Sequence, residues 1–330
     1  KGKVVPELSL APVARRLGEL LAKDVPLVPD CVGTPVTKAM ENLAPGEAVL
    51  LENVRFHPEE EANDPQFAQS LAAPFELYVN DAFGAAHRAH ASTEGVTRYL
   101  PAYAGMLLAK EVEVLCGITE HPRRPYYVLV GGKKAKDKLG VLTDLLPQVD
   151  GFLIGGGVAF TFLAAQGKKV GNSIVDRELI SVIGELISRA AKEGKEIHLP
   201  VDVVAAKELG EGVKTAIYPA DAIPDGWMGL DIGPMTRAAF AEVLAGAGTV
   251  VWAGPMGAFE YAPFAQGTEA IARALADSGA FTVVGGGETG EAVVKLGLEE
   301  RFSHLSTGGG ATLAFLRRKP MPALEALRVG

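Results

Sequence analysis

FTVVGGGETGEAVVK, residues 281–295, is the stretch that decides the fold. Residues 281–284 predict a buried strand, because a parallel strand that is covered on both faces needs no polar alternation. The three glycines that follow allow the backbone to turn sharply and to approach a ligand closely. Residues 288–295 predict a helix that packs inward through Val293 and Val294. The unpaired amides at the start of this helix favour a bound phosphate.

An apolar run followed by glycines recurs four more times in the C-terminal part of the chain. The other glycine groups are 131–132 after YYVLV, 155–157 after FLI, Gly254 and Gly257 after VVWA, and 308–310 after SHLST. One such loop is compatible with an ordinary turn between a strand and a helix. Five are better explained by a ligand, because open parallel sheets bind ligands outside the carboxyl ends of their strands. The sequence therefore predicts a nucleotide site at that edge.

Length and composition predict a soluble globular protein. The chain has 330 residues, a length that is enough for two domains. Of these residues, 48% are hydrophobic and 22% charged, a composition typical of globular proteins. A net charge of −8 argues against nucleic acid as a partner, since a basic face is needed there. No apolar run reaches the roughly 20 residues of a membrane span, so no membrane partner is expected. Cys31 and Cys116 are too few for a disulfide framework, which favours a cytoplasmic location.

The pattern of predicted elements divides the chain into four parts. Residues 1–103 read as βα units whose strands end in arginine and histidine. A helix over residues 104–121 follows, and the stretch HPRRP breaks it. Residues 122–310 alternate between strand and helix, which predicts a doubly wound parallel sheet, with short strands and loops over 200–235. The tail over residues 311–330 contains two prolines, and we expect it to pack onto another part of the fold.

Basic residues follow two of the N-terminal strands. Arg55 lies in LENVRFH, and His87, Arg88 and His90 lie in DAFGAAHRAHAS. Two arginines at one sheet edge form a fork for phosphate or carboxylate oxygens. The alternative is a set of surface ion pairs with nearby acids, namely Glu52, Glu59 or Asp81. The histidines lack a third metal ligand of suitable spacing, so we expect them to assist an anion pocket.

Four lysines crowd the start of a predicted helix in GGKKAKDKLG. Lys133, Lys134, Lys136 and Lys138 oppose the helix dipole there, which costs stability unless an anion binds; the alternative is a solvated basic turn. Lys134 and Lys138 are one helical turn apart and can reach the same ligand. Further along, Glu260 follows a Gly-Pro-Met-Gly loop and could accept hydrogen bonds from a ribose, although it could equally be a surface acid.

Together these stretches resemble the phosphoglycerate kinase family. The motifs that carry the resemblance occur in the family's order, and they are LLENVRFHPEEE, NDAFGAAHRAHAS, GGKKAKDKLG, IGGGVAFTFL, MGLDIGP, WAGPMGAFE, VVGGGETG and HLSTGGGA. The resemblance extends from about residue 8 to residue 330. It implies two Rossmann-like parallel-sheet domains joined by a hinge helix, with the tail returning to the N-terminal domain and closure of the domains around the substrates.

The resemblance also implies the reaction. Magnesium-ATP would phosphorylate the carboxylate of 3-phosphoglycerate reversibly, giving 1,3-bisphosphoglycerate and ADP, in a monomer. Carried over by motif, Arg55, His87 and Arg88 would bind phosphoglycerate in the N-terminal domain. Lys134 would stabilise the transferring phosphoryl group, and Lys138 would bind the nucleotide phosphates.

The glycine motifs receive roles in the same way. Gly156 and Gly157 would border the adenine, and Glu260 the ribose. Gly286 and Gly287 would lie under the phosphates. Glu288 and Thr289 would lie at the phosphates, with Glu288 as the ligand of Mg²⁺. Gly308 and Gly309 would donate amides to the moving phosphoryl group. The catalytic set implied by the resemblance consists of Lys134, Arg55, Gly286 and Gly309.

The chain departs from the family pattern at three positions. Glu288 stands where the family has Asp, Ala253 where it has Asn, and Lys133 where it has a small residue, and each bears on nucleotide affinity. The family's opening strand–helix units, which carry further substrate ligands, are also absent. We therefore expect an incomplete N-terminal domain, and the alternative function is a truncated chain that binds nucleotide but is catalytically impaired.

Two other classes of protein compete with this interpretation. Gly285, Gly287 and Gly290 satisfy the G-x-G-x-x-G fingerprint of dinucleotide-binding oxidoreductases. That fingerprint needs an acid about 20 residues later for the ribose, and none is present there. A P-loop NTPase is excluded because no G-x-x-x-x-G-K-[ST] occurs. A non-catalytic nucleotide-binding module is the second competitor, and it is compatible with the same glycine loops.

Overall fold

The structure is a computed structural model that describes residues 2–327. The predicted ranges 1–103 and 311–330 therefore include four residues, 1 and 328–330, that lie outside the described residues. The chain divides into two compact units, of which the first comprises Lys1–Lys110 with Pro320–Gly330 and the second Glu111–Lys319. The finer domain boundaries given above stay a prediction.

The first unit is built from short strands and helices. Its helices before residue 106 are α1 (Ala11–Leu21), α2 (Thr34–Glu41), α3 (Pro58–Ala62) and α4 (Pro65–Ala72), and its strands are β1 (Leu27–Val28), β2 (Leu50–Leu51), β3 (Tyr78–Asn80) and β4 (Ala102–Ala104). The strands form two parallel pairs, β1 with β2 and β3 with β4. Val28 lies opposite Leu51, so the carboxyl ends of β1 and β2 are level. The residues after these two strands consequently meet at one edge.

A long helix, α5 (Met106–Glu120), crosses the division between the units. The second unit then alternates between strand and helix as far as residue 193. Its elements there are β5 (Tyr126–Val130), α6 (Leu139–Leu145), β6 (Gly151–Ile154), α7 (Gly156–Ala165), β7 (Lys169–Val170) and α8 (Ile180–Lys192). The following elements are β8 (Glu196–His198), β9 (Asp202–Ala206), β10 (Thr215–Pro219), β11 (Ala222–Ile223), β12 (Met228–Ile232) and α9 (Pro234–Ala245).

The last part of the second unit contains the stretch from which the fold was predicted. Its elements are β13 (Thr249–Ala253), α10 (Gln266–Asp277), β14 (Phe281–Gly285), α11 (Gly287–Lys295), β15 (His304–Ser306) and α12 (Gly309–Leu316). Helix α13 (Pro322–Ala326) follows and belongs to the first unit, where the Ala323 amide donates to the Ala86 carbonyl at 3.2 Å.

Six of these strands form one parallel sheet, in the order β8-β6-β5-β13-β14-β15. Numbered along the chain this is 3-2-1-4-5-6, the doubly wound order, and the order reverses between β5 and β13. The five strands predicted to end in glycines are neighbours in this sheet, so their loops share one edge. The predicted fold class is confirmed.

The sheet is the core of the second unit. All residues of β5, β6 and β13 are buried, which explains why these strands read as continuous apolar runs. Trp252 and Phe240 are among the largest fully buried side chains of this core. Val293 is buried beside them, but Val294 is 53% exposed, so the predicted inward position of Val294 is wrong. Consecutive helical residues point about 100° apart, and only one of the pair can face the sheet.

The irregular segment over residues 200–235 forms short strands, as predicted. β9 pairs with β10 and β12 in an antiparallel sheet, and β7 pairs with β11. Within residues 2–327, no helix combines the length and apolarity that a membrane crossing requires.

Candidate active site

The loops at the point where the strand order reverses are packed against one another. The Gly131 amide donates to the Ala253 carbonyl at 3.1 Å, and the Gly132 amide to the Pro255 carbonyl at 2.9 Å. A Cβ on Gly131 would collide with the Pro255 oxygen, and a Cβ on Gly157 with the Lys133 oxygen. These glycines are therefore required for close backbone contact within the protein.

The predicted adenine-border residues belong to this packed group. Gly156 has a φ of +58°, and a Cβ there would lie 2.8 Å from the Gly132 oxygen. Together with Gly157 it opens helix α7, whose N-terminus has no side-chain cap. The glycine requirement at both positions is thus explained by packing, and a role beside the adenine stays a prediction.

The loops after β14 and β15 are different. After β14, Gly287 faces open space, whereas after β15 Gly308 is buried and Gly309 packs against Gly286. Gly286 has a φ of +113°, and no atom lies within 4 Å of a Cβ built on Gly287. Helix α11 begins here without a side-chain cap, and so does α12 after Gly308. A Cβ on Gly309 would lie 2.7 Å from the Cα of Gly286, so the two helix starts are in close contact. Two uncapped N-termini that meet in this way suit a phosphate group.

The amide of Gly308 is already used within its own loop. It donates to Ser306 Oγ at 3.2 Å, and the carbonyl of Gly308 accepts from Thr312 Oγ1 at 2.7 Å. Of the two amides that the sequence assigned to the moving phosphoryl group, Gly309 is therefore the better candidate.

The predicted lysines differ in burial and in their interaction with Glu288. Lys138 is partly buried, and burial lowers its pKa, while Asp137 and Glu288 act in the opposite direction. The ammonium group of Lys138 consequently lies within electrostatic reach of the Glu288 carboxylate. Lys133 and Lys134 are exposed, and among residues 2–327 the Lys134 side chain has no ion pair. The charge of Lys134 is thus available to a ligand.

The donors present at the start of α11 fit a magnesium ion that arrives with a nucleotide. Glu288 lies exposed in the first turn, and none of the hydrogen bonds within the described part of the chain ties its carboxylate to the helix amides. Mg²⁺ needs only one or two carboxylates besides phosphate oxygens and waters. Thr289 is different: it is buried, and its Oγ1 accepts from the Gly254 amide at 2.9 Å. It anchors α11 to the loop after β13.

Glu260 lies exposed in the turn after β13. The loop before it is fixed by the Ala258 amide, which donates to the Leu230 carbonyl at 2.9 Å. Ala253 is buried at the end of β13. The position of Glu260 is compatible with the predicted ribose contact, which stays a prediction.

A further residue, Glu111 of α5, was missed in the sequence. It is fully buried, and its carboxylate accepts from His304 Nε2 at 2.7 Å and from the amide and hydroxyl of Thr307 at 2.7 and 2.8 Å. Burial acts to raise the pKa of Glu111, but the hydrogen bonds from His304 and Thr307 outweigh it and lower that pKa. Glu111 therefore fixes the segment directly before Gly308. The available signal was its position three residues after Leu108 and four before Leu115, on the apolar stripe of the helix.

In the first unit, Arg55 is engaged in an ion pair. Its Nη1 contacts Glu61 Oε1, which is none of the three acids considered from the sequence. Glu52 instead accepts from Ser9 Oγ at 2.6 Å and from the Leu10 amide. An incoming anion would have to compete with Glu61 for the guanidinium of Arg55.

The charges of Arg55 and Arg88 both act on His90. Arg88 Nε donates to His87 Nε2 at 3.2 Å. Burial first, and then the charge of Arg88, lower the pKa of His87. Burial and the charge of Arg55 likewise lower the pKa of His90, against the effect of Glu60. The arginines therefore supply the positive charge at neutral pH, and the histidines are neutral hydrogen-bonding groups.

Comparison with known proteins identifies relatives along nearly the whole chain. The family model described as Phosphoglycerate kinase matches residues 1–319. The phosphoglycerate kinase of Moorella thermoacetica is 53% identical over 327 residues, which are 99% of this chain and 83% of the relative. A cytosolic phosphoglycerate kinase of Triticum aestivum is 50% identical over 328 residues, 98% of this chain and 82% of the relative.

Solved structures agree with the sequence relatives. The phosphoglycerate kinase of Coxiella burnetii superposes with a TM-score of 0.85 at 42% identity, covering 99% of this chain and 83% of that one. The enzyme of Pyrococcus horikoshii gives a TM-score of 0.87 at 32% identity, covering 97% of this chain and 82% of that one.

Proposed function

Because the chain belongs to the phosphoglycerate kinase family, we propose that each of its two groups of site residues binds one substrate of that enzyme: the glycine loops and lysines of the second unit bind the nucleotide, and the basic residues of the first unit bind the phosphoglycerate. The reaction is the reversible transfer of a phosphoryl group between ATP and 3-phosphoglycerate, giving ADP and 1,3-bisphosphoglycerate. The chain is thus a phosphotransferase with a carboxyl group as acceptor. The alternative of a chain that binds nucleotide but is catalytically impaired has no support in these relatives.

The observation that carries the proposal is the contact between the uncapped starts of α11 and α12. The nucleotide phosphates would lie over Gly286 and Gly287, where the backbone leaves open space. The amide of Gly309 would donate to the transferring phosphoryl group. Phosphoryl transfer needs positioning and charge stabilisation more than covalent chemistry, and backbone amides supply both without reorganisation.

Lys138 and Lys134 would stabilise negative charge on different phosphate groups. Lys138, partly buried beside Glu288, would hold the nucleotide phosphates. Lys134, exposed and without an ion pair in the described part of the chain, would reach the transferring group. Gly156, Gly157 and Glu260 would contact the base and the ribose. Glu288 would be the protein ligand of Mg²⁺, and the bound ion would neutralise charge on the phosphate oxygens.

The acceptor would bind in the first unit. Arg55 and Arg88 would hold the anionic groups of 3-phosphoglycerate, with His87 as a neutral hydrogen-bonding partner. The acceptor carboxylate is ionised near neutral pH, since ordinary carboxyl groups titrate near pH 4. It is therefore a nucleophile without the help of a general base. We further propose that the chain acts as a monomer in the cytoplasm, without membrane or nucleic-acid partners.

Exchange of neighbouring lysines tests this assignment. We expect Lys134→Ala to lower kcat by about 10²–10³-fold with little change in KM for ATP, as for loss of one donor aimed at transition-state charge. The matched control is Lys133→Ala, which removes an adjacent exposed charge and should change kcat only a few-fold. A coupled assay of ATP consumption with 3-phosphoglycerate measures both. Near-normal turnover of Lys134→Ala would contradict the role of Lys134, and equal losses in both variants would reduce it to a general effect of charge.

A further inference from the structure

Three potential metal ligands meet in the first unit, at the carboxyl ends of β1 and β2. Asp30 and Cys31 follow β1, and His57 follows β2 after a short turn. One ligand atom from each of the three lies within 4.8 Å of the other two. Among residues 2–327, no other group of His, Cys, Asp and Glu side chains meets this condition.

The side chains of this cluster are already held in place. His57 Nε2 contacts Asp30 Oδ1 at 2.8 Å, and the His57 ring packs on Phe67 with 5.0 Å between the ring centroids. Asp30 Oδ1 also accepts from the Cys31 amide at 2.6 Å. Cys31 is buried in the apolar cluster that contains Phe67. The three donors are therefore already gathered around one point, and the contact between His57 Nε2 and Asp30 Oδ1 has to open to admit an ion.

The cluster is open on one side. The side chains of Asp30 and His57 are 39% and 30% exposed, whereas Cys31 is 1% exposed. A cation could enter past the carboxylate and imidazole and reach the sulfur behind them. The solvent side would leave room for a water molecule as a fourth ligand.

We propose that Asp30, Cys31 and His57 form a binding site for Zn²⁺, with water as the fourth ligand. A thiolate, an imidazole and a carboxylate together suit this ion, which is bound tetrahedrally by sulfur, nitrogen and oxygen. Mg²⁺ prefers oxygen ligands alone, so the site is separate in chemistry from the magnesium-nucleotide site of the second unit.

Binding would be accompanied by release of a proton. An ordinary cysteine thiol has a pKa of about 8.5, so the metal-free side chain carries a proton at neutral pH. On binding, the S–H bond of Cys31 breaks, its proton leaves to solvent and a Zn–S bond forms. The proton that His57 Nε2 shares with Asp30 Oδ1 moves to Nδ1 by exchange with solvent, which leaves Nε2 free to form the Zn–N bond. The ion adds two positive charges and the thiolate one negative charge, so the cluster becomes one unit more positive.

The proposed zinc site would affect phosphoryl transfer through the segment of backbone that links His57 to Arg55. His57 is two residues beyond Arg55, in the same turn after β2. A metal that joins His57 to the residues after β1 would restrict this turn and thereby the position of Arg55. We expect bound Zn²⁺ to change KM for 3-phosphoglycerate, while the affinity for ADP stays the same.

Titration of the full chain with Co²⁺, followed by displacement with Zn²⁺, tests the site directly. We expect one equivalent of Co²⁺ to produce the near-ultraviolet absorption of a thiolate-to-cobalt charge transfer, and Zn²⁺ to abolish it. His57→Gln and Cys31→Ala should weaken Co²⁺ binding by about 100-fold or more, and Cys31→Ala should also remove the absorption. The matched controls are His121→Gln and Cys116→Ser, whose side chains lie outside the cluster and which should bind as the wild type does.

Several results would overturn the proposal. They are an absence of the charge-transfer band in the wild type, its loss in Cys116→Ser, and unchanged binding in His57→Gln. Because Cys31 lies in the core, Cys31→Ala could misfold, which circular dichroism would reveal. His57→Gln replaces a partly exposed side chain and keeps the proposal testable in that event. None of these measurements depends on phosphoryl transfer, so failure of the zinc proposal and failure of the proposed catalytic roles can be distinguished.

Discussion

The glycines that follow strands of the large sheet belong to two groups. Those after β5, β6 and β13 lie at the centre of the sheet, where Gly131 and Gly157 pack against backbone oxygens of neighbouring loops. Those after β14 lie towards the sheet's edge, where Gly286 and Gly287 face open space. The sequence pattern is the same in both groups. At Gly286 and Gly287 there is room for a ligand directly over the backbone, and at Gly131 and Gly157 there is none.

The two groups also differ in what keeps the loops in place. The central loops hold one another through backbone hydrogen bonds, such as Gly132 to Pro255. The outer loops depend on side chains brought from elsewhere, namely Thr289 to the Gly254 amide and Glu111 to Thr307. A ligand site needs amides that are free, so other groups must supply the rigidity. Substitutions should therefore damage stability in the central group and ligand binding in the outer group.

The largest effect is expected in the central loops. Gly131→Ala would force a Cβ against the Pro255 oxygen, and such overpacking costs about 3 kcal/mol. We expect a lower midpoint of thermal unfolding by several degrees, whether or not nucleotide is present. The matched control is Gly184→Ala within α8, where a Cβ meets nothing within 4 Å and a gain of about 0.5–1 kcal/mol is expected. Unchanged stability of Gly131→Ala would remove the distinction between the groups.

The existence of this sheet could be predicted from the sequence, but the difference between the groups could not. Continuous apolar runs such as YYVLV and VVWA identify strands that are covered on both faces, whatever their order in the sheet. Which loops touch depends on which strands are neighbours, and β5 lies beside β13 although more than a hundred residues separate them. No local pattern around Gly131 encodes the position of the Pro255 oxygen.

The next effect concerns the anchor of the outer loops. Glu111→Gln keeps the shape of the side chain but replaces the carboxylate that accepts hydrogen bonds from His304 and Thr307 with a neutral amide. We expect the free energy of unfolding to fall by about 1–3 kcal/mol. We expect a lower kcat as well as lower stability, because Thr307 precedes the amides of α12. Denaturant unfolding and the coupled assay measure the two effects. A loss of stability with unchanged kcat would show that the outer loops keep their position without this anchor.

The stability that Glu111 contributes should depend on pH, and the direction of its pKa shift determines the sign of that dependence. The pKa of Glu111 in the folded protein is below its usual value of 4.5, so its stabilisation is present above that value. It is lost as the pH falls from 4.5 through the folded-state pKa. The difference in stability between wild type and Glu111→Gln should accordingly shrink towards low pH. A difference that grows on acidification would contradict the proposed hydrogen bonds.

A smaller effect is expected at the open glycines. Gly287→Ala adds a methyl group where no protein atom lies within 4 Å, so the fold should tolerate it. The methyl group would occupy space proposed for the phosphates, and we expect magnesium-ADP to bind about tenfold more weakly, or about 1.4 kcal/mol. The control is Gly290→Ala on the same helix, which is also open but whose amide already donates to the Gly286 carbonyl. Calorimetry on both variants should separate them, and equal affinities would place the phosphates elsewhere.

A motif identifies candidate site residues in the sequence, and the roles of these residues stay predictions. Lys134 and Glu288 are exposed in the structure, so their charged groups are not used in the packing of the fold. For Thr289 and Gly308 a motif is not enough, because the Thr289 hydroxyl and the Gly308 amide are engaged by Gly254 and Ser306 within the protein. Hydrogen bonds of this kind depend on three-dimensional neighbours. A motif gives the residue but not the atoms that remain free.

The smallest effect concerns Glu288, and it decides whether the outer loops hold the metal as well as the phosphates. As an acid in the first turn of α11, Glu288 could act only on the helix dipole, in which case its removal would change stability alone. No hydrogen bond within residues 2–327 ties it to the helix amides, and its charge acts on Lys138. Both observations favour a carboxylate that is free to meet the magnesium ion of the nucleotide.

Two substitutions at this position distinguish the interpretations. Glu288→Gln removes the charge at constant size, so we expect a several-fold rise in the magnesium concentration needed for half-maximal rate. Glu288→Asp keeps the charge on a shorter arm, and we expect that concentration to stay the same or to fall. The neighbouring control is Glu291→Gln, one turn further along α11, where the acid is paired with Lys295 at 2.8 Å. If Glu288→Gln changes the unfolding temperature but leaves the magnesium dependence as in Glu291→Gln, then the open loops bind phosphate through their amides and the metal is held by the nucleotide alone.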